Sequence, residues 1–165
     1  MQSEKWVETT MDLDKLDKKI LTLLQTDSCL TNNELAEKVG LSPSPCWRRV
    51  KRLEEGGIIT SRVTLISPSS VGLHVFAYAL VSLENHNIET LNGFDQFVQD
   101  SAQVLECSSM SGSYDYLLKI VSHSMDDYEL LLSGHLLKLK GVRSVNTSFV
   151  LSQKKMTTAL PLDYI

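Results

Sequence analysis

Apolar residues recur along this chain with two different periods. Helical spacing dominates the first third, and alternation appears repeatedly in the rest. Over residues 14–25, Leu16, Ile20, Leu23 and Leu24 follow an i, i+4, i+7, i+8 pattern that makes one apolar face of a helix. Asp14 is placed to cap it, with Asp17 three residues on. A shorter helix is predicted over 32–39, capped by Thr31 with Glu34 completing a capping box. Gly40 stands where a left-handed backbone ends a helix at least cost. A third follows over 43–55, stopped by Gly56-Gly57. Two prolines open it, yet Ser42 is the N-cap, Pro43 falls at N1 and Pro45 at N3. First-turn N–H groups have no acceptor within the helix, so proline loses nothing there.

At about 100° per residue, Cys46, Val50 and Leu53 share one face of the third helix, with Trp47 at its edge. Arg48, Arg49 and Arg52 are assigned to the opposite side, flanked by Lys51 and Ser44. A basic helix face is most often simply solvated. Here, however, the helix before it is short, the connection Gly40-Leu41-Ser42 is tight, and acidic i±4 partners begin only at Glu54 and Glu55. Two short helices joined by a glycine turn, the second cationic, make the helix-turn-helix arrangement, with Ala36 suited to the close crossing. Residues 58–67, "IITSRVTLIS", predict two short strands of a wing with Arg62 near its tip. The DNA-contacting candidates are therefore Ser42, Ser44, Arg48, Arg49, Lys51, Arg52 and Arg62, and the partner is double-stranded DNA.

After Ser67-Pro68-Ser69-Ser70-Val71-Gly72, a turn-rich stretch read as a hinge, the period changes. Leu73, Val75, Ala77, Ala79, Val81 and Leu83 point one way, while Phe76, Tyr78 and Leu80 make the other face partly apolar too. A strand apolar on both faces is covered on both. A helix over 88–98, strands over 104–110 and 114–121 joined by Ser111-Gly112-Ser113, a helix from Ser124 with Tyr128, Leu132, His135 and Leu136 ended by Gly141, and a strand over 142–151 complete the pattern. The order β-α-β-β-α-β is the ferredoxin-like sandwich, so the fold class is α+β. Its second sheet face is most economically covered by another copy of the chain. The divisions predicted are a flexible tail (1–11), a winged helix-turn-helix (12–66), a hinge (67–72) and an oligomerisation and ligand domain (73–165).

Composition changes this picture little. The 165 residues carry a net charge of −4, but ten of the sixteen basic residues lie in 1–66, and local clustering matters more to a phosphate backbone than the total. No apolar run reaches the roughly 18 residues of a membrane span, and the polar first eleven residues do not resemble an export signal, so the cytoplasm is expected. Three scattered cysteines, Cys29, Cys46 and Cys107, fit neither a disulfide framework nor a metal site and read as buried, inert thiols. The four histidines form no catalytic or ligating pattern and no phosphate-binding fingerprint occurs, which argues against an enzyme. A nucleoid protein without a ligand is the other competing class; weak sequence preference would mark it.

The segments "DLDKLDKKILTLLQTDSCLTNNELAEKVGLSPSPCWRRVKRLEEGGII", "SGSYDYLLKI" and "LLKLKGVRSVNTSFVLSQKK" resemble the Lrp/AsnC, or feast/famine, transcription regulators over about 12–162. The resemblance implies a regulator that dimerises through its sandwich sheets, assembles into octamers, and answers to an amino acid or related small molecule, with no other cofactor. It implies an effector site between dimers, near Met110, Ser111, Gly112, Ser113, Tyr114 and Asp115, with Leu137, Ser148 and Val150 around the dimer–dimer contact. Ser113 departs from the acidic residue of many relatives, and Trp47 with "TTALP" at 157–161 is closer to a branch responsive to cysteine and branched-chain amino acids. Asp115 has two readings: acceptor for a ligand ammonium, or a turn residue capping its own hairpin.

Overall fold

The computed structural model describes residues 11–165, which divide into two compact units. The predicted flexible tail lies, but for Met11, outside the described residues.

The first unit comprises the chain up to Leu65 together with Lys155–Ile165. Helix α1 spans Lys15–Thr26, α2 Asn32–Val39 and α3 Pro43–Glu55. Both expected boxes form: the Asp14 and Thr31 side chains accept from the N3 amides, and Asp17 and Glu34 reach back to the cap amides. Gly40 ends α2 at φ 80°, and the Leu41 N–H returns to the Ala36 carbonyl at 2.9 Å. The Asn32 side chain donates to the Pro43 carbonyl at 2.8 Å, tying the start of α2 to the start of α3. The core is Ile20, Leu21, Leu35, Ala36, Val39, Cys46, Val50 and Leu53.

Two expectations are corrected here. The wing strands are not formed: Ile58 and Ile59 fold back to the Leu53 carbonyl, and residues 60–67 have no regular structure. The segment has strand-forming residues but no Asn-Gly or similar turn to fix a register, and an isolated two-stranded ribbon is marginal in water. In addition, residues 155–165 do not belong with the second unit. Gln25 exchanges two hydrogen bonds with the Leu160 backbone, at 2.6 and 3.2 Å, Lys18 binds the Ile165 carbonyl, and Leu162 packs against the core.

The second unit, Ile66–Lys154, is a four-stranded antiparallel sheet of order β2-β3-β1-β4 with two helices on one face. Its elements are β1 Val75–Leu83, α4 Ile88–Asp100, β2 Val104–Ser109, β3 Tyr116–Ser122, α5 Met125–Gly134 and β4 Val142–Phe149. The expected hinge is a hydrogen-bonded turn of this unit. Ser69–Val71 is a short 3-10 helix, and the Gly72 carbonyl lies 2.6 Å from His123 Nδ1. Ala77, Ala79, Val81, Leu118 and Ile120 face Phe94, Tyr128, Leu131 and Leu136 in the core. Helix α5 ends seven residues before Gly141, where the sequence pattern placed its end. Continuing it would turn His135 toward the core; instead the chain breaks there, His135 stays exposed, and a 3-10 turn, Leu136–Lys138, buries Leu136. Across the sheet, Phe76, Tyr78 and Leu80 face away from the helices, opposite Val121, Lys119 and Leu117; Tyr78 is 38% exposed. Among the described residues no helix is long and apolar enough to cross a membrane.

Candidate functional site

Helix α3 is anchored by Cys46, Val50 and Leu53, each buried, which sends Ser44 and Arg48 outward. Ser42 is extended and exposed, and its side chain makes no cap bond; Pro43 opens the first turn, and the Cys46 N–H closes it on the Ser42 carbonyl at 3.2 Å. Arg48 makes no ion pair among the described residues. The Lys51 ammonium lies 5.0 Å above the Trp47 ring and 3.6 Å from Glu55. Trp47, at the edge of the apolar face, is 53% exposed beside a cavity of about 360 Å³ that Leu24, Leu30 and Leu35 also line.

Arg49, Arg52 and Arg62 are not free cations. Arg49 Nη1 bonds Asp14 at 2.6 Å and Asp17 at 2.8 Å; Arg52 also bonds Asp17; Arg62 bonds Glu54 at 2.9 Å. The assignment of Arg49 to the outward face is thereby corrected: the residue sits beside Leu53 on the helix wheel and turns toward α1. Asp17 is fully buried. The Asp17 amide, then Arg49, hold the Asp14 carboxyl below the usual carboxylate range, and the two carboxylates raise Arg49. Asp17 was expected only beside the Asp14 cap; its burial against two arginines was not, although a signal existed. Asp17, Ile20, Leu21 and Leu24 are spaced i, i+3, i+4, i+7, so the aspartate stands in the apolar stripe itself.

The β2–β3 turn holds Met110, Ser111, Gly112 and Ser113 exposed, with Gly112 at φ 125° and open space where a Cβ would stand. Asp115 has partners on its own chain at both carboxylate oxygens. One carboxylate oxygen accepts the Leu83 N–H at 2.7 Å and the other lies 2.7 Å from His86 Nε2. Its backbone binds the Val81 carbonyl and the Met110 amide. The Leu83 amide, with His86, holds the Asp115 carboxyl below its ordinary value. Tyr114 is half-buried beside it.

Within one chain the candidate ligand residues do not converge. Ser148 pairs with Tyr78 on the open sheet face, three β1 residues, or about 10 Å, from Val81. Val150 lies beyond the end of β4, its amide on the Phe76 carbonyl, and Leu137 is on the helical side in the 3-10 turn. Of the cysteines only Cys46 is buried, and burial raises its thiol pKa; Cys29 and Cys107 are exposed. Among the described residues no group of His, Cys, Asp or Glu could hold a metal ion.

Two family models match the chain: a winged helix-turn-helix DNA-binding domain over residues 13–60 and the Lrp/AsnC ligand binding domain over 76–160. The transcriptional regulator AzlB of Bacillus subtilis is 40% identical over 92% of this chain and 96% of its own length. The transcriptional activator DecR of Escherichia coli is 38% identical over 92% and 99%. A Neisseria meningitidis transcriptional regulator, solved as its L-Met complex, superposes with a TM-score of 0.90 at 41% identity, over 93% of this chain and 99% of that one.

Proposed function

The chain belongs to the Lrp/AsnC family of transcriptional regulators, and from that premise we propose that α3 reads duplex DNA in the major groove while the ferredoxin-like unit senses an amino acid. The chain is a regulator and not an enzyme. One observation carries the DNA reading: α3 is sunk into its core by Cys46, Val50 and Leu53 while Arg48 stands exposed without an ionic partner among the described residues. A free guanidinium suits the O6 and N7 acceptors of guanine, a contact worth about 1–3 kcal/mol. Ser42 and Ser44 lie at the helix start, where backbone N–H groups and the dipole favour phosphate, and Lys51 supplies a further cation.

The open sheet face, with Phe76, Tyr78, Leu80 and Leu117, is the surface on which a second copy would dimerise, with octamers built from such dimers. Hairpin 110–115, Leu137 and the Ser148–Val150 stretch belong to separate elements in one chain, which suits a site completed between copies. The L-methionine held by the Neisseria relative makes that amino acid the first effector to try. Its carboxylate would meet backbone amides of the Ser111-Gly112 turn. Asp115 would take the ammonium on its remaining lone pairs, since a carboxylate oxygen can accept two bonds and each here has one partner among the described residues. A ligand that favours one assembly over another shifts DNA binding with it. The protein would act in the cytoplasm, within reach of chromosomal DNA.

The test is selection of bound fragments from a genomic library, with and without single amino acids, followed by Arg48→Ala. The variant is expected to lose about 1–3 kcal/mol of affinity for the selected fragment while its assembly state is unchanged. Equal affinity would remove α3 as the reader. No amino acid changing either the selection or the assembly state would remove the sensing role.

A further inference from the structure

We propose that Asp17 is a positioning residue for DNA recognition: its buried carboxylate holds Arg49 and Arg52 as struts between α1 and α3, withholding them from DNA and fixing the angle at which α3 presents Arg48. This rests on the reading of α3 as the DNA-reading helix. Asp17 is the one carboxylate among the fully buried side chains of the described residues. A charge so placed is tolerated only when paired and hydrogen-bonded. Here both oxygens are used: Oδ1 accepts from Arg49 at 2.8 Å, and Oδ2 accepts from Arg52 and from the Asp14 amide at 3.2 Å. Asp14 adds a second acceptor for Arg49 at 2.6 Å. Arg49 and Arg52 are three residues apart, so the two grips lie one turn apart on the same flank of α3.

The apolar contacts of Ile20 and Leu21 with the core are not directional and tolerate small rotations of one helix on another. Charge-assisted bonds to guanidinium forks are directional. The cluster therefore does what the greasy face cannot, setting the rotation of α3 about its own axis. That rotation decides where Arg48, the neighbour of Arg49, points. Four basic residues within 48–52 would otherwise favour any phosphate backbone; tying up two of them suppresses binding without sequence preference.

Full-length Asp17→Asn and Arg52→Gln are compared with the wild type on the fragment that wild-type protein enriches from a genomic library and on a random duplex, across a salt series. Asp17→Asn is expected to cut the ratio of the two affinities on the order of tenfold, the size of one misplaced base contact. Binding to the random duplex should tighten, its salt slope steepening by up to about 0.9 per arginine released. Arg52→Gln should leave the salt slope of specific binding unchanged. A folded Asp17→Asn with the wild-type ratio and slope overturns the proposal, as does an Arg52→Gln slope lower by about 0.9. If Asp17→Asn does not fold, the Arg52→Gln slope still decides. Amide exchange in the free protein supplies an arm independent of DNA. Exchange at residues 50–53 should quicken in Arg52→Gln relative to residues 35–39; no difference refutes the strut. Wild-type protein that enriches no fragment would instead defeat the DNA-reading role and leave this arm standing.

Discussion

Asp115 shows how a residue chosen for one chemistry can be bound to another. Its carboxylate satisfies the Leu83 amide where β1 ends and meets His86 just beyond. Replacing it with Asn leaves a part-buried amide with a poorer acceptor, at a cost of about 1–3 kcal/mol at neutral pH. Because the folded pKa is depressed, the acid form is the less stable one in the fold. The contribution is fully present above the unfolded carboxyl value, about 3.9, and fades as pH falls from there through the folded value. Asp115→Asn and wild type should therefore differ in thermal midpoint at pH 7 and draw together as the pH is lowered below the ordinary carboxylate range. A gap independent of pH would mean that the carboxylate charge plays no part in holding the turn. Arg48 was legible from a helix wheel because its fate depends on its own helix. Asp115 and Arg49 were not, because their partners lie 29 residues or more away in sequence and only the folded chain brings them together.

At the scale of elements, boundaries written in neighbouring residues were legible. The two capping boxes, the proline-opened α3 and Gly40 are local agreements between side chain and backbone, complete within four residues. The α5 terminus was not legible, since it is set by the demand of the sheet for Leu136 over His135. The wing strands failed for the complementary reason: β propensity describes what fits a pleated surface, and residues 60–67 have no such surface beside them. Two glycines separate backbone strain from packing. Gly40 (φ 80°) has open space where a Cβ would stand, whereas at Gly141 (φ 91°) a Cβ would come within 2.4 Å of Thr90. Gly40→Ala should cost about 1 kcal/mol, from the left-handed backbone alone. Gly141→Ala should exceed it by a further 1–3 kcal/mol, roughly, because buried Thr90 must move. Urea titration of the two variants distinguishes the contributions, and equal losses would mean that Thr90 yields without cost.

For the whole molecule, the sequence showed two regions but misplaced the last one. The ending "MTTALPLDYI" has no period, so nothing local assigns it to either unit. Its partners do: the Leu160 backbone exchanges hydrogen bonds with Gln25, and Leu162 covers part of the helical core. The chain thus passes between the units twice, once at Leu65/Ile66 and again at Lys154/Lys155. Removing residues 156–165 should therefore weaken the helix-turn-helix unit, although the deletion directly follows the strand-rich one in sequence. A half-buried leucine is worth about 1–1.5 kcal/mol, and two exposed hydrogen bonds add about 1 kcal/mol between them. A unit of this size has little stability in reserve, so a loss of about 2 kcal/mol is a large fraction of it. Amide exchange of the truncated protein should quicken across α1 and α3 and stay unchanged in β1 and β3. Loosening confined to the sheet would place the segment with the second unit after all. Uniform loosening of both would mean that the two unfold as one body.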